Sequence, residues 1–244
     1  MSERLQKLIA NAGYGSRRWA ERLIEQGRVT LNNHDVKLGD KALLNDKVRI
    51  DGKLIDLKRY AEIETKVLIL NKQAGFICSK KDVEGRKSVF DLLPKNNRWI
   101  MVGRLDLNTS GLLLFTNNGE LANKLMHPSA QIDREYAVRV LGKVTEEHIK
   151  KLINGVELDD GFAKFHQVAH GGGEGANRWY RVVIKEGRKR EVRRLWEFLD
   201  FKVSRLIRTR FGDIRLPNKL RSNHFEYLKP KQVQTLLNSV NLEG

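Results

Sequence analysis

Apolar residues in this chain recur in two rhythms, and the points where each starts and stops divide the molecule. Leu5, Leu8, Ile9 and Ala12 repeat at helical spacing and end at Gly13. Ser16 then caps a second helix carrying Ala20, Leu23 and Ile24, which ends at Gly27. Residues 28–32 alternate like a strand, and 47–50, the Asp51-Gly52 turn and Leu54-Ile55 read as strand, turn, strand. Further on, residues 66–70 form a short apolar run bounded by Asn71-Lys72, and Leu112 to Phe115 form another; both have the form of buried strands. Asn118-Gly119 leads into a helix over 120–126, residues 136–140 form a strand, and Thr145 caps a helix bearing Ile149, Leu152 and Ile153 that stops at Gly155. Residues 162–168 and 179–184 read as strands paired across a glycine-rich loop, and 231–240 as a terminal helix. Helices on one side of a mostly antiparallel mixed sheet give an α+β fold. The expected domains are 1–58, a polar linker at 59–65, and 66–244.

Composition narrows the class of partner. The 244 residues carry 46 Lys and Arg against 30 Asp and Glu, a net charge of +16, which points to a polyanion. The charge is uneven: residues 185–222 hold thirteen basic and five acidic side chains. There, Val192, Leu195, Trp196, Phe198 and Leu199 give an apolar helical face expected to be core, with Arg188, Arg190, Arg193 and Arg194 at its start. In the strand-like run that follows, Arg205 and Arg208 are separated by an odd offset, so at most one can line a given groove. No apolar run is long enough for a membrane span and the N-terminus has no apolar signal core, so the expectation is a cytoplasmic protein that does not engage membranes. Cys78 is the sole cysteine, which excludes an intrachain disulfide and a cysteine-based metal site. His166 and His170 lie among glycines with no third ligand nearby, so no metal is expected. His170-Gly171-Gly172-Gly173 has no Gly-x-Ser-x-Gly nucleophile to serve and reads as a hairpin tip.

One charged residue stands where a plain strand would not need it. Asp106 lies in Gly103-Arg104-Leu105-Asp106-Leu107-Asn108-Thr109-Ser110-Gly111-Leu112-Leu113-Leu114-Phe115-Thr116, between a small polar turn and a buried strand. Taken alone, it is an Asp capping a turn before a core strand. In company it says more. The run resembles the active-site motif of pseudouridine synthases of the RsuA/RluB type, in which the aspartate is essential. Arg134-Glu135-Tyr136-Ala137-Val138 resembles the tyrosine motif of that family, and Glu186-Gly187-Arg188-Lys189-Arg190-Glu191-Val192-Arg193-Arg194-Leu195 its basic motif. Three matches in the right order are far harder to reach by chance than one. The similarity runs through nearly the whole chain and is closer to the RluB branch, which acts on large-subunit (23S) ribosomal RNA. One departure is Gln73, which stands where the family usually has proline in Asn-Lys-Pro-x-Gly.

The resemblance implies roles. Asp106, Tyr136 and Arg193 would be catalytic: the carboxylate at the ribose–base junction, the tyrosine stacked on uracil, the arginine paired with the carboxylate. Arg104 would fill the space left by a flipped base, Val192 would form the floor beneath it, and Thr109, Arg188 and Arg190 would contact substrate. The reaction needs no cofactor and no metal. Residues 1–58 resemble the S-four-like (αL-type) RNA-binding module, with Ser16-Arg17-Arg18 and Gly27-Arg28-Val29 at the matching places, so Arg4, Lys7, Arg17, Arg18, Arg22 and Arg28 would grip RNA. The expected partner is ribosomal RNA, 23S or an assembling large subunit, engaged by a monomer. Two alternatives stay open at this point: a small-subunit RNA target, and a non-catalytic RNA-binding assembly factor.

Overall fold

The computed structural model describes residues 2–58, 64–80, 82, 84–95, 98–173 and 175–242. Most of the expected linker, 59–63, lies outside them. The chain forms two compact units, Met1–Glu64 and Thr65–Gly244.

In the first unit, β1 (Glu3–Arg4) runs into α1 (Leu5–Asn11), and Gly13 at positive φ turns the chain toward α2 (Arg17–Glu25). The Ser16 hydroxyl accepts the Trp19 N–H at 3.0 Å, the cap read from the sequence. Then come β2 (Val29–Leu31), β3 (His34–Asp35), β4 (Lys41–Ala42), β5 (Val48–Ile50) and β6 (Lys53–Ile55). The order β3-β2-β5-β6 makes a small antiparallel sheet, while β1 pairs with β4. Asp51 and Gly52 both take positive φ, the two-residue turn that matches strand twist between β5 and β6. Leu5, Ile9, Ala20, Leu23, Val29 and Val48 meet in its core.

The second unit is built on one sheet. Its elements are β7 (Val67–Lys72), β8 (Ile100–Val102), β9 (Ser110–Thr116), α3 (Gly119–Met126), β10 (Arg134–Leu141), α4 (Glu146–Asn154), β11 (Val156–Leu158), β12 (Gly161–Ala163), β13 (Gln167–Gly172), β14 (Asn177–Ile184), α5 (Glu191–Glu197), β15 (Lys202–Phe211), β16 (Ile214–Arg215), β17 (Phe225–Tyr227) and α6 (Pro230–Asn238). The sheet order is β13-β14-β10-β15-β9-β7-β17, with β8 beside β9 and β16 beside β15. Among these ladders only β15 and β9 run parallel, so the mostly antiparallel mixed sheet of an α+β fold is as the sequence indicates. Their close approach depends on Gly111, at φ +100°, where a Cβ would sit 2.3 Å from the Arg208 carbonyl oxygen.

Alternation along the strands sends side chains to two cores. Leu68, Leu70, Leu113, Phe115, Tyr136, Val138 and Val140 join α4 and α5 residues in one; Val67, Ile69, Leu112 and Leu114 join α3 and α6 in the other. Three expectations need correction. Helices pack on both faces of the sheet, α4 and α5 on one and α3 and α6 on the other, where one covered side was expected. Phe162 and Ala163 belong to a separate hairpin, β11–β12, and β14 pairs with β13. Trp196 is fully buried as expected, but Phe198 lies just past the last turn of α5, 43% exposed, with the Lys151 ammonium 5.3 Å from its ring centroid.

Candidate active site

The three motifs converge through arginine-to-carbonyl hydrogen bonds. Arg193, on the buried face of α5, donates Nη2–H to the Asn108 carbonyl at 3.0 Å and Nη1–H to the Val203 carbonyl at 2.8 Å. Arg134, at the start of β10, donates to the Lys185 and Glu186 carbonyls at 2.6 and 3.0 Å, and its guanidinium lies 5.3 Å from the Phe211 ring centroid. The basic motif therefore holds the aspartate loop on one side and is held by the tyrosine motif on the other. An Arg193–Asp106 ion pair, expected from the sequence, is not present among the described residues, because Arg193 gives both guanidinium arms to backbone carbonyls. Burial and the nearby Arg190 lower the Arg193 pKa from its ordinary value, and the Asp106 and Glu197 carboxylates oppose that shift.

Asp106 sits half-buried in a turn closed by the Thr109 N–H on its carbonyl oxygen at 3.0 Å. Lys72 lies beneath that turn. Its side chain has no exposed surface, and Nζ donates to the carbonyls of Thr109 (2.7 Å), Asp106 (3.1 Å), Gln73 (3.2 Å) and Leu107 (3.3 Å). Burial depresses its pKa, opposed by Cys78 and Asp106. Two further bonds fix the loop: Gly75 N–H to the Leu107 carbonyl at 2.8 Å, and Leu105 N–H to Cys78 Sγ at 3.5 Å. Gln73 replaces the usual proline with useful polar groups, since its N–H donates to Asn223 Oδ1 and its Oε1 accepts from Asn223 Nδ2 at 2.7 Å.

Sheet register carries the tyrosine to the same region. Tyr136 pairs with Arg208 on β15, Arg208 with Gly111 on β9, and Gly111 with Lys72 on β7, so one row crosses four strands at the end where the aspartate loop enters β9. Tyr136, 7% exposed, shares its core with Leu105 and Val192. Arg208 is buried, with Nε on the Leu112 carbonyl at 2.7 Å, while Arg205 is exposed, as their odd offset requires.

Two expected substrate contacts, Thr109 and Arg188, are committed within the fold, whereas Arg104 and Val192 stand where the expected roles allow. Arg104 is exposed at the mouth of the loop, and Val192 is buried. Thr109 is 2% exposed and secures the turn through its backbone, so its side chain does not reach the surface. Arg188 gives its guanidinium to Asp160, Glu186 and the carbonyls of Gly161 and Phe162, bracing β11–β12. Arg190 adopts a left-handed conformation before α5 and pairs with Glu197 at 2.9 Å. Glu191 is almost wholly buried at the first turn, which raises its pKa, helped by Glu186. Lys72 was the residue missed: its only sequence signal is a lysine ending an apolar strand in phase with Leu68 and Leu70.

The first unit presents Arg4, Arg17, Arg18 and Arg22 at its surface, without ion pairs among the described residues. Arg4, Lys7, Arg17 and Lys41 line a pocket of about 280 Å³ with Glu3 and Glu21. Lys7 pairs with Glu3, and Arg28 makes a two-pronged contact with Asp51 at 2.7 and 2.6 Å, so these two are engaged within the fold. Among the described residues no three His, Cys, Asp or Glu side chains gather as metal ligands, and no helix is long and apolar enough to cross a membrane.

The family model for RNA pseudouridylate synthase matches residues 66–197, and that for the S4 domain matches residues 3–48. The chain is 54% identical over 247 residues to the ribosomal large subunit pseudouridine synthase B of Vibrio vulnificus (strain CMCP6), covering 99% of this chain and 77% of that protein. It is 51% identical over 247 residues to the protein of the same name from Yersinia pestis, covering 100% and 78%. Among solved structures it is similar to a crystal structure of a pseudouridylate synthase, at 26% identity and a TM-score of 0.67, covering 96% of this chain and 99% of that one.

Proposed function

The chain belongs to the RNA pseudouridylate synthase family, and from that premise we propose that it converts a specific uridine of large-subunit ribosomal RNA to pseudouridine in the cytoplasm. The observation that carries the reading is the bracing of the Asp106 loop by Lys72 below and Arg193 at its side. A half-buried carboxylate on a loop so constrained is held for work at a fixed point, which a binding protein does not require.

The isomerisation is redox-neutral. The C1′–N1 bond breaks, the uracil turns within the site, C1′–C5 forms, a proton leaves C5 and N1 gains one. Asp106 acts at the ribose–base junction. Tyr136 stacks on the uracil with its hydroxyl toward C5, above the apolar floor of Val192. A uridine in folded RNA reaches this recess only by leaving its stack, at a cost of a few kcal/mol; Arg104, exposed beside the loop, fills the vacated space. Residues 66–244 carry the chemistry, and residues 1–58 grip RNA through Arg4, Arg17, Arg18 and Arg22, with Lys7 and Arg28 helping to shape that surface. Arg190, at the entrance to α5, contacts the substrate backbone. The enzyme works as a single chain and needs no cofactor.

Asp106→Asn tests the reading. It keeps shape and the backbone contacts of the turn while removing the charge, so RNA affinity and thermal stability stay near wild type and single-turnover conversion of a ribosomal RNA fragment is lost. Conversion within about tenfold of wild type, roughly 1.4 kcal/mol of barrier, would remove Asp106 from the mechanism.

A further inference from the structure

The sheet of the second unit has an open face that the proposed chemistry does not use. Tyr136, Val138 and Val140 point into the core, so Ala137, Arg139 and Leu141 face the other way. Register builds two rows there. Arg139 lies between Trp179 on β14 and Arg205 on β15, and Ala137 lies between Arg181 and Ile207. Ala137, Gly171, Trp179, Tyr180, Arg181 and Ile207 line a shallow pocket of about 350 Å³, large enough for a nucleobase. The Trp179 indole is half-buried and flanked by the small residues Gly171 and Ala137.

The charge on this face is uncompensated. Arg139 and Arg205 are direct cross-strand partners, an arrangement in which like charges destabilise the sheet. The two rows contain no carboxylate. Glu135, one row further, is already paired with Arg210 and Arg215. Arg181 and Arg205 are exposed and make no ion pair among the described residues, while Arg139 donates Nε–H to the Ser204 hydroxyl at 2.9 Å. A half-buried indole among guanidinium groups on a sheet surface suits a single-stranded polyanion with flat bases, since stacking supplies affinity without sequence and the arginines meet phosphates.

We propose that this open sheet face is a second RNA-binding surface, which takes a single-stranded segment of the substrate RNA with one base stacked on Trp179 and the flanking phosphates on Arg139, Arg181 and Arg205. The inference rests on the reading of the chain as an RNA-modifying enzyme, and it adds a place where RNA outside the target hairpin is held.

The test uses the full chain, a fluorescein-labelled oligouridine of about ten nucleotides, and a minimal target hairpin without single-stranded flanks. Trp179→Ala weakens oligouridine binding roughly 5- to 100-fold. Arg181→Gln with Arg205→Gln flattens its log-log salt slope by about 1.4, at about 0.7 per phosphate contact, whereas the paired lysine substitutions retain the slope. Single-turnover conversion of the saturating minimal hairpin is unchanged in all three, and 5-iodouracil in the oligonucleotide crosslinks to the peptide containing Trp179. Unchanged affinity and slope in the alanine and glutamine variants, or crosslinking confined to other peptides, would overturn the proposal. So would variants that keep RNA affinity but lose association with protein-containing ribosomal particles, which would assign the face to a protein. A wild-type protein that binds oligouridine through Trp179 yet isomerises no uridine would defeat the proposed function and leave this surface standing.

Discussion

Lys72 and Asp106 are joined through the backbone: the lysine ammonium donates to the aspartate carbonyl oxygen at 3.1 Å while also binding the carbonyls of Gln73, Leu107 and Thr109. A buried cation is costly, and here its hydrogen bonds all go to the segments that set the position of one carboxylate. The lysine acts on the site through the loop it holds.

Lys72→Met preserves much of the volume and removes the lysine donor from the Gln73 and Thr109 carbonyls, while the Asp106 and Leu107 carbonyls keep the Thr109 and Gly75 N–H groups. Unsatisfied buried acceptors cost about 1–3 kcal/mol, offset in part by relief of the buried charge, so a net loss of about 2 kcal/mol is expected. For a chain of this size that lowers Tm by about 4–8 °C. Calorimetry gives the stability and single-turnover kinetics the activity. A positioning role predicts that kcat falls while KM for RNA changes little, whereas a structural role alone would leave kcat intact in the folded fraction.

The contrast between Lys72 and Asp106 also marks what can be read from sequence. Ser16 and Thr145 were legible as helix caps because capping depends on neighbours a few residues away. The buried strands at 66–70 and 112–115 were legible from their apolar runs, but the second core was not, because it needs α3 and α6 to return to the far face of the sheet; motif order singled out Asp106, Tyr136 and Arg193 as candidates. Lys72 was not legible as a site residue, because its partners Leu107 and Thr109 are 35 and 37 residues distant and meet it only through the β7–β9 register. The same holds for Arg188, whose motif position suggests substrate but whose guanidinium is committed to Asp160 in a hairpin 28 residues away. Chemistry assigned from residue type fails where tertiary contacts consume the charge.

Glu191 gives a pH-dependent prediction. Burial, reinforced by Glu186, raises its pKa above that of the unfolded chain, so the native state binds the proton more tightly. Stability from this group is present at acid pH and declines as pH rises through the native pKa. Glu191→Gln keeps an acceptor for the Arg188 N–H and removes the titration. Urea midpoints compared from about pH 4 to about pH 7 should show the variant gaining on wild type as pH rises. Parallel curves would mean that Arg188 and Arg134 fully compensate the carboxylate.

Tyr136→Phe separates packing from chemistry. The ring is core, and no hydrogen bond of its hydroxyl is present among the described residues, so the variant should fold and bind RNA like wild type. Loss of a group that moves a proton at C5 lowers single-turnover conversion by about 100-fold or more. Normal turnover would reduce Tyr136 to a packing residue.

The last prediction concerns the first unit, where a net count of charge misleads. Residues 1–58 carry twelve basic and eight acidic side chains, a surplus of only four, and two of the basic groups are held by Glu3 and Asp51. What remains is placement. Arg17, Arg18 and Arg22 lie exposed on α2, with Arg18 and Arg22 one turn apart on the same side. If each meets one phosphate, changing all three to Gln lowers the log-log salt slope of RNA binding by about two units, at about 0.7–0.9 each. The variant then binds weakly and discriminates poorly among uridines, yet converts a saturating minimal hairpin at the wild-type rate, because no group at Asp106 has changed. Equal salt slopes for wild type and variant on the same RNA would mean that this unit serves a different partner.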